Sequence, residues 1–332
     1  MSRKVCLTGI KPTGTPHIGN YFGAIKPAIE LANNFDARYF IADYHALNTV
    51  KDSAQLKEMT HILAASWLAC GLDPETMMFY RQSDVPETFE LTTMLMAFTS
   101  KGLMNRAHAY KACVQENIDA GNDPDSGINM GLYTYPVLMA ADILLFDTNF
   151  VPVGKDQQQH VEICADIAQS LNHTYGKDLL VVPKAVISES TQVVVGLDGR
   201  KMSKSYDNVI PLFLAPKKFR KIIMKIVTNS QEVEEAKNPD ESHVFTLYKL
   251  FANEKEQQAA RERYLAGGMG WGHAKQELFE IMEEHFSPMR EKYDMLMEDP
   301  THIEKILKEG AEKARTIASA TVDRLRSAIG ID

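Results

Sequence analysis

Apolar positions follow two rhythms through the first part of the chain. Short apolar runs at Val5–Thr8, Ala37–Ala42, Met77–Tyr80 and Asn149–Val153 read as strands. Between them, helical spacing covers 20–34, 53–71, 87–99, 136–146 and 157–171. Val161, Cys164, Ala168 and Leu171 share one stripe of the last of these, an amphipathic cover for a sheet. Strand and helix in alternation predict an α/β fold with a parallel, doubly wound sheet. Pro136 should open its helix, in the first turn, where a missing N–H is harmless. Beyond Leu212 the rhythm changes. Positions 215–331 keep helical spacing, broken by the charged stretch Glu232–Glu241 with its Asn238-Pro239 turn and by the glycine-rich run Gly267–Gly272. The expected organisation is an α/β unit over 1–212 followed by an α-helical unit over 213–332.

Composition narrows the class without naming a function. A chain of 332 residues with 45% hydrophobic and 24% charged residues is ordinary for a globular protein with a substantial core. No apolar run is long enough to span a membrane, and the opening Met-Ser-Arg-Lys leads directly into the first strand, so a cytoplasmic protein is expected. The four cysteines, Cys6, Cys70, Cys113 and Cys164, lack metal-ligand spacing, and neither a metal site nor a disulfide framework is expected. The net charge of −8 argues against bulk attraction to nucleic acid. Local patches can still meet phosphates. Lys217, Lys218, Arg220, Lys221 and Lys225 form one cluster, and Lys305, Lys308, Lys313, Arg315, Arg324 and Arg326 another. A solvated helix face is the alternative for both.

Two segments carry most of the chemistry. Lys201-Met202-Ser203-Lys204-Ser205 follows an apolar run, Val193–Val195, and a turn at Asp198-Gly199. It puts two ammonium groups and two hydroxyls on one turn, suited to an anionic, phosphate-rich ligand. The second segment, Gly9 to Asn20, passes from a strand through a glycine-rich turn into a helix, a ready anion site. His17 and Asn20 stand at that helix start, able to donate to phosphate or ribose oxygens. The segment is neither a dinucleotide fingerprint nor a Walker-type loop.

Together the two segments resemble the paired signatures of the class I aminoacyl-tRNA synthetases. Within that class the chain resembles the bacterial tryptophanyl-tRNA synthetases nearly end to end. The narrower match lies in Gly9–Gly14 with His17–Asn20, in Tyr135–Leu144, in Val151–His160 and in the lysine loop. Two departures stand out: Lys11 occupies a place where the family commonly has Gln, and Leu7 one where an aromatic is usual.

The resemblance implies activation of L-tryptophan with ATP and Mg²⁺, then transfer to tRNA(Trp), by a homodimer that uses neither DNA nor a membrane. It implies catalytic roles for His17, Asn20, Lys201 and Lys204. ATP contacts would come from Lys11, Pro12, Thr13, Gly19, Asn20, Gly154, Lys155, Asp156, Val193, Lys201, Met202, Ser203, Lys204 and Ser205. Asp156 suits a ribose hydroxyl, although its position also suits a plain helix cap. Lys111 is a further phosphate candidate. Asp142 would accept the indole N–H, with Leu7, His45, Met139, Val151 and Val153 around the ring. From spacing alone Asp142 either faces solvent or has a buried donor. A lone carboxylate in an apolar pocket is a strain, so its removal should leave stability level or raised. The helical unit would contact tRNA, with its final helix packed back on the first unit. The nearest rival is a tyrosyl-tRNA synthetase, whose phenol-reading pocket normally pairs tyrosine with aspartate. A non-catalytic paralogue that binds RNA or protein is the rival of another class, and it should have lost one signature.

Overall fold

The computed structural model describes residues 3–187 and 194–331, and Asp156 only in its backbone. Five parallel strands form one sheet in the order β3-β2-β1-β4-β5, with β1 Val5–Ile10, β2 Asp36–Ile41, β3 Met78–Arg81, β4 Phe150–Val153 and β5 Lys184–Ile187. The chain grows outward from β1 on one side and from β4 on the other. The crevice beyond the carboxyl ends of β1 and β4 is therefore the switch point where such sheets bind ligands.

Successive side chains of each strand go to opposite faces, and the two faces carry separate cores. Leu7, Phe40, Tyr80 and Val151 are buried on one face, under helices Glu87–Met96, Met130–Leu144 and Gln158–Tyr175. Tyr39, Ile41 and Phe79 are buried on the other, under helices Ser53–Ala69 and Trp271–Glu298. The last helix, Pro300–Ile329, belongs to both. Its Ile303 and Leu307 join one core, and its Ala311, Ala314, Ala318, Val322 and Leu325 join the other. It thus wraps the edge strand β3, which shields that edge from stray pairing. Gly310 lies where the helix crosses: a Cβ there would come 1.8 Å from the Phe79 carbonyl oxygen. Only glycine fits so close to a backbone.

Several elements differ from the pattern-based expectation. The Pro136 helix begins earlier, at Met130, because the Asn129 side chain caps it by accepting the Leu132 N–H at 2.9 Å. Pro136 is therefore inside the helix, one backbone hydrogen bond short, and packing on both sheet and neighbours holds it. The apolar run at 193–195 is not a strand of the sheet. Val193 lies outside the described residues, and Val195 makes an isolated antiparallel bridge to Lys201. The fifth strand is Lys184–Ile187, a short edge with no fully buried position, so it shows little hydrophobic pattern. Helices Lys101–Met104 and His108–Asp119 were also unexpected, and the latter buries none of its residues.

Candidate functional site

The carboxyl end of β1 leads through Lys11–Pro16 into a helix beginning at Ile18. Gly14 sits at φ 85°, a backbone angle open chiefly to glycine. The His17 N–H donates to Asn20 Oδ1 at 3.0 Å. That bond turns the amide oxygen inward and leaves the NH₂ of the exposed Asn20 as an outward donor. The His17 ring lies over the first turn, and a Cβ on Gly19 would come 3.0 Å from it, which is why glycine stands there. Burial, with the charge of Lys204 adding, pushes the His17 imidazole down to about 4, so it is neutral near pH 7. Its Nδ1 is buried without a partner among the described residues. An orphaned polar atom in a loop of this kind suits a ligand that completes its bonding. The next turn, Tyr21–Ile25, is a π-helix, a geometry frequent at functional sites.

The lysine loop folds as a tight hairpin. Lys201 bridges Val195, and the Met202 N–H donates to the Val194 carbonyl at 2.8 Å. Met202 is buried, so its side chain anchors the loop from below, while Ser203, Lys204 and Ser205 ride above it. Asn208 organises the whole turn. Its Oδ1 accepts from the Ser203 N–H at 2.8 Å, and its Nδ2 donates to Asp198 at 2.7 Å and to the Lys201 carbonyl at 3.1 Å. Gly196 leaves space for it: a Cβ there would come 2.3 Å from the Asn208 amide. The Asn208 amide, with Arg200 adding, holds the Asp198 carboxyl at about 2.

The two loops meet. Lys204 Nζ donates to the Thr13 carbonyl at 2.7 Å. Beyond the hairpin, the Ile18 N–H donates to Ile210 at 3.0 Å and the Leu212 N–H donates to Pro16 at 3.2 Å. Segments about 190 residues apart in sequence (13 and 204) are therefore stitched together at the switch point. Burial lowers the pKa of both Lys11 and Lys204. Lys201 is exposed.

A second cluster lies in the core of the sheet face under Met130–Leu144. Asp142 is buried at 2% exposure. The Gln82 amide donates to both of its oxygens, each at 2.8 Å, and His45 Nε2 donates to Oδ2 at 3.0 Å. Burial pushes the Asp142 carboxyl up, and His45 and Gln82 oppose that push. The carboxylate is thus supported rather than isolated, contrary to the expectation that removing it would relieve strain. Tyr135, Met139 and Asp142 share one helix face at i, i+4 and i+7. The Tyr135 hydroxyl meets His160 Nε2, whose Nδ1 donates to Gln157 Oε1 at 3.0 Å. This chain of contacts joins the helix to the turn after β4. Leu7 and Val151 are buried in the same core, with Met139 and Val153 partly buried against it.

Gly154 and Lys155 are exposed directly beyond β4, across the switch point from the Lys11–Pro16 turn. The Asp156 side chain and Val193 lie outside the described residues. Pro12 is buried and Thr13 exposed within the first loop, and Lys111 stands exposed on the His108–Asp119 helix. Two residues of this region were not anticipated. Gln82 follows β3 directly, and a polar residue at that end of a parallel strand was an available signal. Asn208 had none, because its partners come from three separate positions of one hairpin.

Comparison with known proteins agrees with this geometry. The family described as tRNA synthetases class I (W and Y) matches residues 2–287. A tryptophan–tRNA ligase of Neisseria meningitidis is 50% identical over 334 aligned positions, covering 100% of this chain and 99% of that one. One from Pseudomonas putida is 52% identical over 98% of this chain and 73% of its own length. Among solved structures, the tryptophanyl-tRNA synthetase of Campylobacter jejuni in complex with ADP and tryptophan superposes with a TM-score of 0.91 at 44% identity, over 98% of this chain and 99% of that chain. That of Mycoplasma pneumoniae gives 0.76 at 27% identity, over 99% and 98%. Two loops stitched together at the switch point of a parallel sheet and a match of this extent lead to one statement: the chain belongs to the class I tRNA synthetases of the W and Y family.

Proposed function

We propose that the chain is a tryptophan–tRNA ligase, which activates L-tryptophan with ATP and transfers the tryptophanyl group to the terminal adenosine of tRNA(Trp). The observation that carries this reading is the bond from Lys204 to the Thr13 carbonyl, because it unites both signature loops at the switch point of the sheet. In the first step the tryptophan carboxylate attacks the α-phosphorus of ATP, forming the adenylate and releasing pyrophosphate. No protein nucleophile is needed. The work is positioning and charge stabilisation. Neutral His17 and the outward Asn20 amide would donate to phosphate oxygens, while Lys201 and Lys204 would balance charge developing on the leaving pyrophosphate. Lys11, Thr13, Gly19, Ser203 and Ser205 would line the same path. Gly154, Lys155 and Asp156 would face the ribose side, and Val193 would back the adenine.

For the amino acid, Asp142 would accept the indole N–H, with His45, Met139, Leu7, Val151 and Val153 around the ring. A carboxyl group whose oxygens face the Gln82 amide and His45 is set up to accept, which fits a ring whose polar handle is a donor. A phenol hydroxyl both donates and accepts and is served less well. Among the described residues no group of three or more His, Cys, Asp or Glu is arranged to hold a metal. Mg²⁺ would enter on the ATP phosphates and neutralise part of their charge, as this ion usually does.

The acceptor tRNA would meet the exposed cations of the helix Pro216–Ile223 and its continuation: Lys217, Lys218, Lys221 and Lys225. A homodimer in the cytoplasm is part of the same reading, and no described helix is long and apolar enough to cross a membrane. Tryptophan-dependent exchange of pyrophosphate into ATP tests the activity. Tyrosine-dependent exchange, or none, would overturn it.

A further inference from the structure

We infer that Glu304, on the final helix, is a positioning residue for amino-acid recognition: through Arg81 it holds the Gln82–Asp84 turn so that Gln82 orients Asp142. The inference rests on the reading of Asp142 as the acceptor of the substrate indole.

The contacts run without a gap. Arg81 ends β3, and its guanidinium grips Glu304 with two bonds of 3.1 Å and Asp84 with two more of 3.1 Å. A planar fork shared by two carboxylates fixes direction as well as distance. His61, from the Ser53–Ala69 helix, donates to the same Glu304 oxygen at 2.7 Å. The next residue after Arg81 is Gln82, which is fully buried. Its amide nitrogen serves Asp142, and its Oε1 accepts from the Tyr44 N–H at 3.2 Å. Tyr44 adjoins His45, the other donor to Asp142. The Asp43 carboxylate accepts from the Ser83 N–H at 3.1 Å, closing the ring of contacts around the turn. Both donors to Asp142 therefore lean on one short turn. Its hold from the final helix comes from Glu304, 223 residues from Arg81 in sequence.

The other ties of the final helix differ. Arg324 pairs with Asp147 at 2.7 Å, but both side chains are more than a third exposed, and neither touches the Asp142 region. That pair supplies a control that loosens the same helix elsewhere.

The test measures tryptophan-dependent pyrophosphate exchange for the wild type, Glu304→Gln, Glu304→Asp, Arg324→Gln, Gln82→Ala and the double variant Glu304→Gln with Gln82→Ala. Rates with an analogue whose ring N–H is replaced by sulfur are measured alongside. Glu304→Gln should raise the KM for tryptophan about tenfold with the KM for ATP within about twofold, and should shrink the discrimination against the sulfur analogue. Glu304→Asp should recover part of both, and it stands in if Glu304→Gln fails to fold. Arg324→Gln should leave both KM values unchanged. In the Gln82→Ala background, Glu304→Gln should add little, since a residue acting through Gln82 has nothing left to hold. The inference is overturned if Glu304→Gln and Arg324→Gln move the tryptophan KM equally. It is also overturned if the two changes at 82 and 304 simply add, or if exchange is normal in the wild type and unmoved in Glu304→Gln and Glu304→Asp. A wild type with no tryptophan-dependent exchange would instead overturn the reading of the site, and the inference with it.

Discussion

The two ends of the candidate site solve opposite problems. At the proposed nucleotide end the chemistry would rest on loops: Asn20, Lys201, Lys204 and Ser205 are exposed. At the proposed amino-acid end Asp142 is buried, and its two oxygens already accept from Gln82 and His45. The contrast fits what each end would recognise under the proposed function. A transition state that gathers negative charge needs donors that can close on it and then release pyrophosphate, which favours cations carried on loops and not locked in ion pairs. A single indole N–H must be read in a desolvated pocket, where an acceptor that wobbles or changes protonation state would lose its selectivity. One end stays open, and the other is built in advance.

The largest effect that would sharpen this contrast lies at the open end. Lys204→Ala should slow adenylate formation about a hundred- to thousandfold while leaving tryptophan binding nearly unchanged, since one preorganised charge aimed at a transition state is worth ~3–4 kcal/mol. Single-turnover kinetics decides the point, and a loss under about threefold would deny Lys204 its phosphate role.

Asp142→Ala tests the closed end. The KM for tryptophan should rise about ten- to a hundredfold with the KM for ATP steady. Because the Gln82 amide and His45 would be left without their acceptor, stability should fall by about 1–3 kcal/mol rather than rise. A melting temperature at or above that of the wild type would show that the supporting bonds are worth nothing.

A smaller effect should separate support from contact at the open end. Asn208→Ala removes three bonds inside the lysine hairpin but no proposed ligand contact. It should raise the KM for ATP or lower the rate of activation about tenfold, and leave the tryptophan KM alone. An equal change in both KM values would mean the two ends are not independent.

The smallest effect concerns pH. The His17 pKa is depressed in the folded chain to about 4, from an ordinary value of 6.5, chiefly by burial. Between these values the unfolded chain binds more protons, so stability must fall as pH drops from about 6.5 toward about 4 and stay level above that window. Burial lowers His285 too, in the same direction. His17→Gln should flatten part of this slope in melting curves taken across the window, and an unchanged slope would assign it elsewhere. Activity of the wild type, meanwhile, should show no ionisation of His17 near pH 6.5.

The cations of the last helix give a different lesson. Read from sequence, Lys305, Lys308, Lys313, Arg315, Arg324 and Arg326 are candidates for a basic patch facing tRNA. In the structure Arg315 pairs with Glu87 at 3.0 Å and Arg324 with Asp147 at 2.7 Å, while Arg326 donates to Glu90 at 2.8 Å and Lys313 to the Pro74 carbonyl at 3.4 Å. Such half-exposed pairs contribute little stability each. They are nevertheless already engaged, which weakens that patch and makes Lys217, Lys218, Lys221 and Lys225, exposed on and just after one short helix, the better candidates. Reversing these charges should lower the salt dependence of tRNA binding by about one unit of slope per lost phosphate contact.

Sequence alone determined whatever depends on local composition. The alternation of strand and helix, the glycine-rich turn before His17 and the two-lysine loop are properties of neighbouring residues, and periodicity or turn chemistry exposes them. Four of the five strands were legible for that reason. The short strand Lys184–Ile187 was not, because an edge without a buried face has no alternation to show. Tertiary structure decided the rest, because it turns on pairs of residues that meet only after folding. Gln82 becomes the donor to a carboxylate 60 residues away, and Glu304 reaches Arg81 across 223. Asp142 could have been a solvated carboxylate or one with a buried donor as far as its neighbours reveal. Only the packed core, which excludes water and brings two donors within 3.0 Å, made it a buried and supported acceptor.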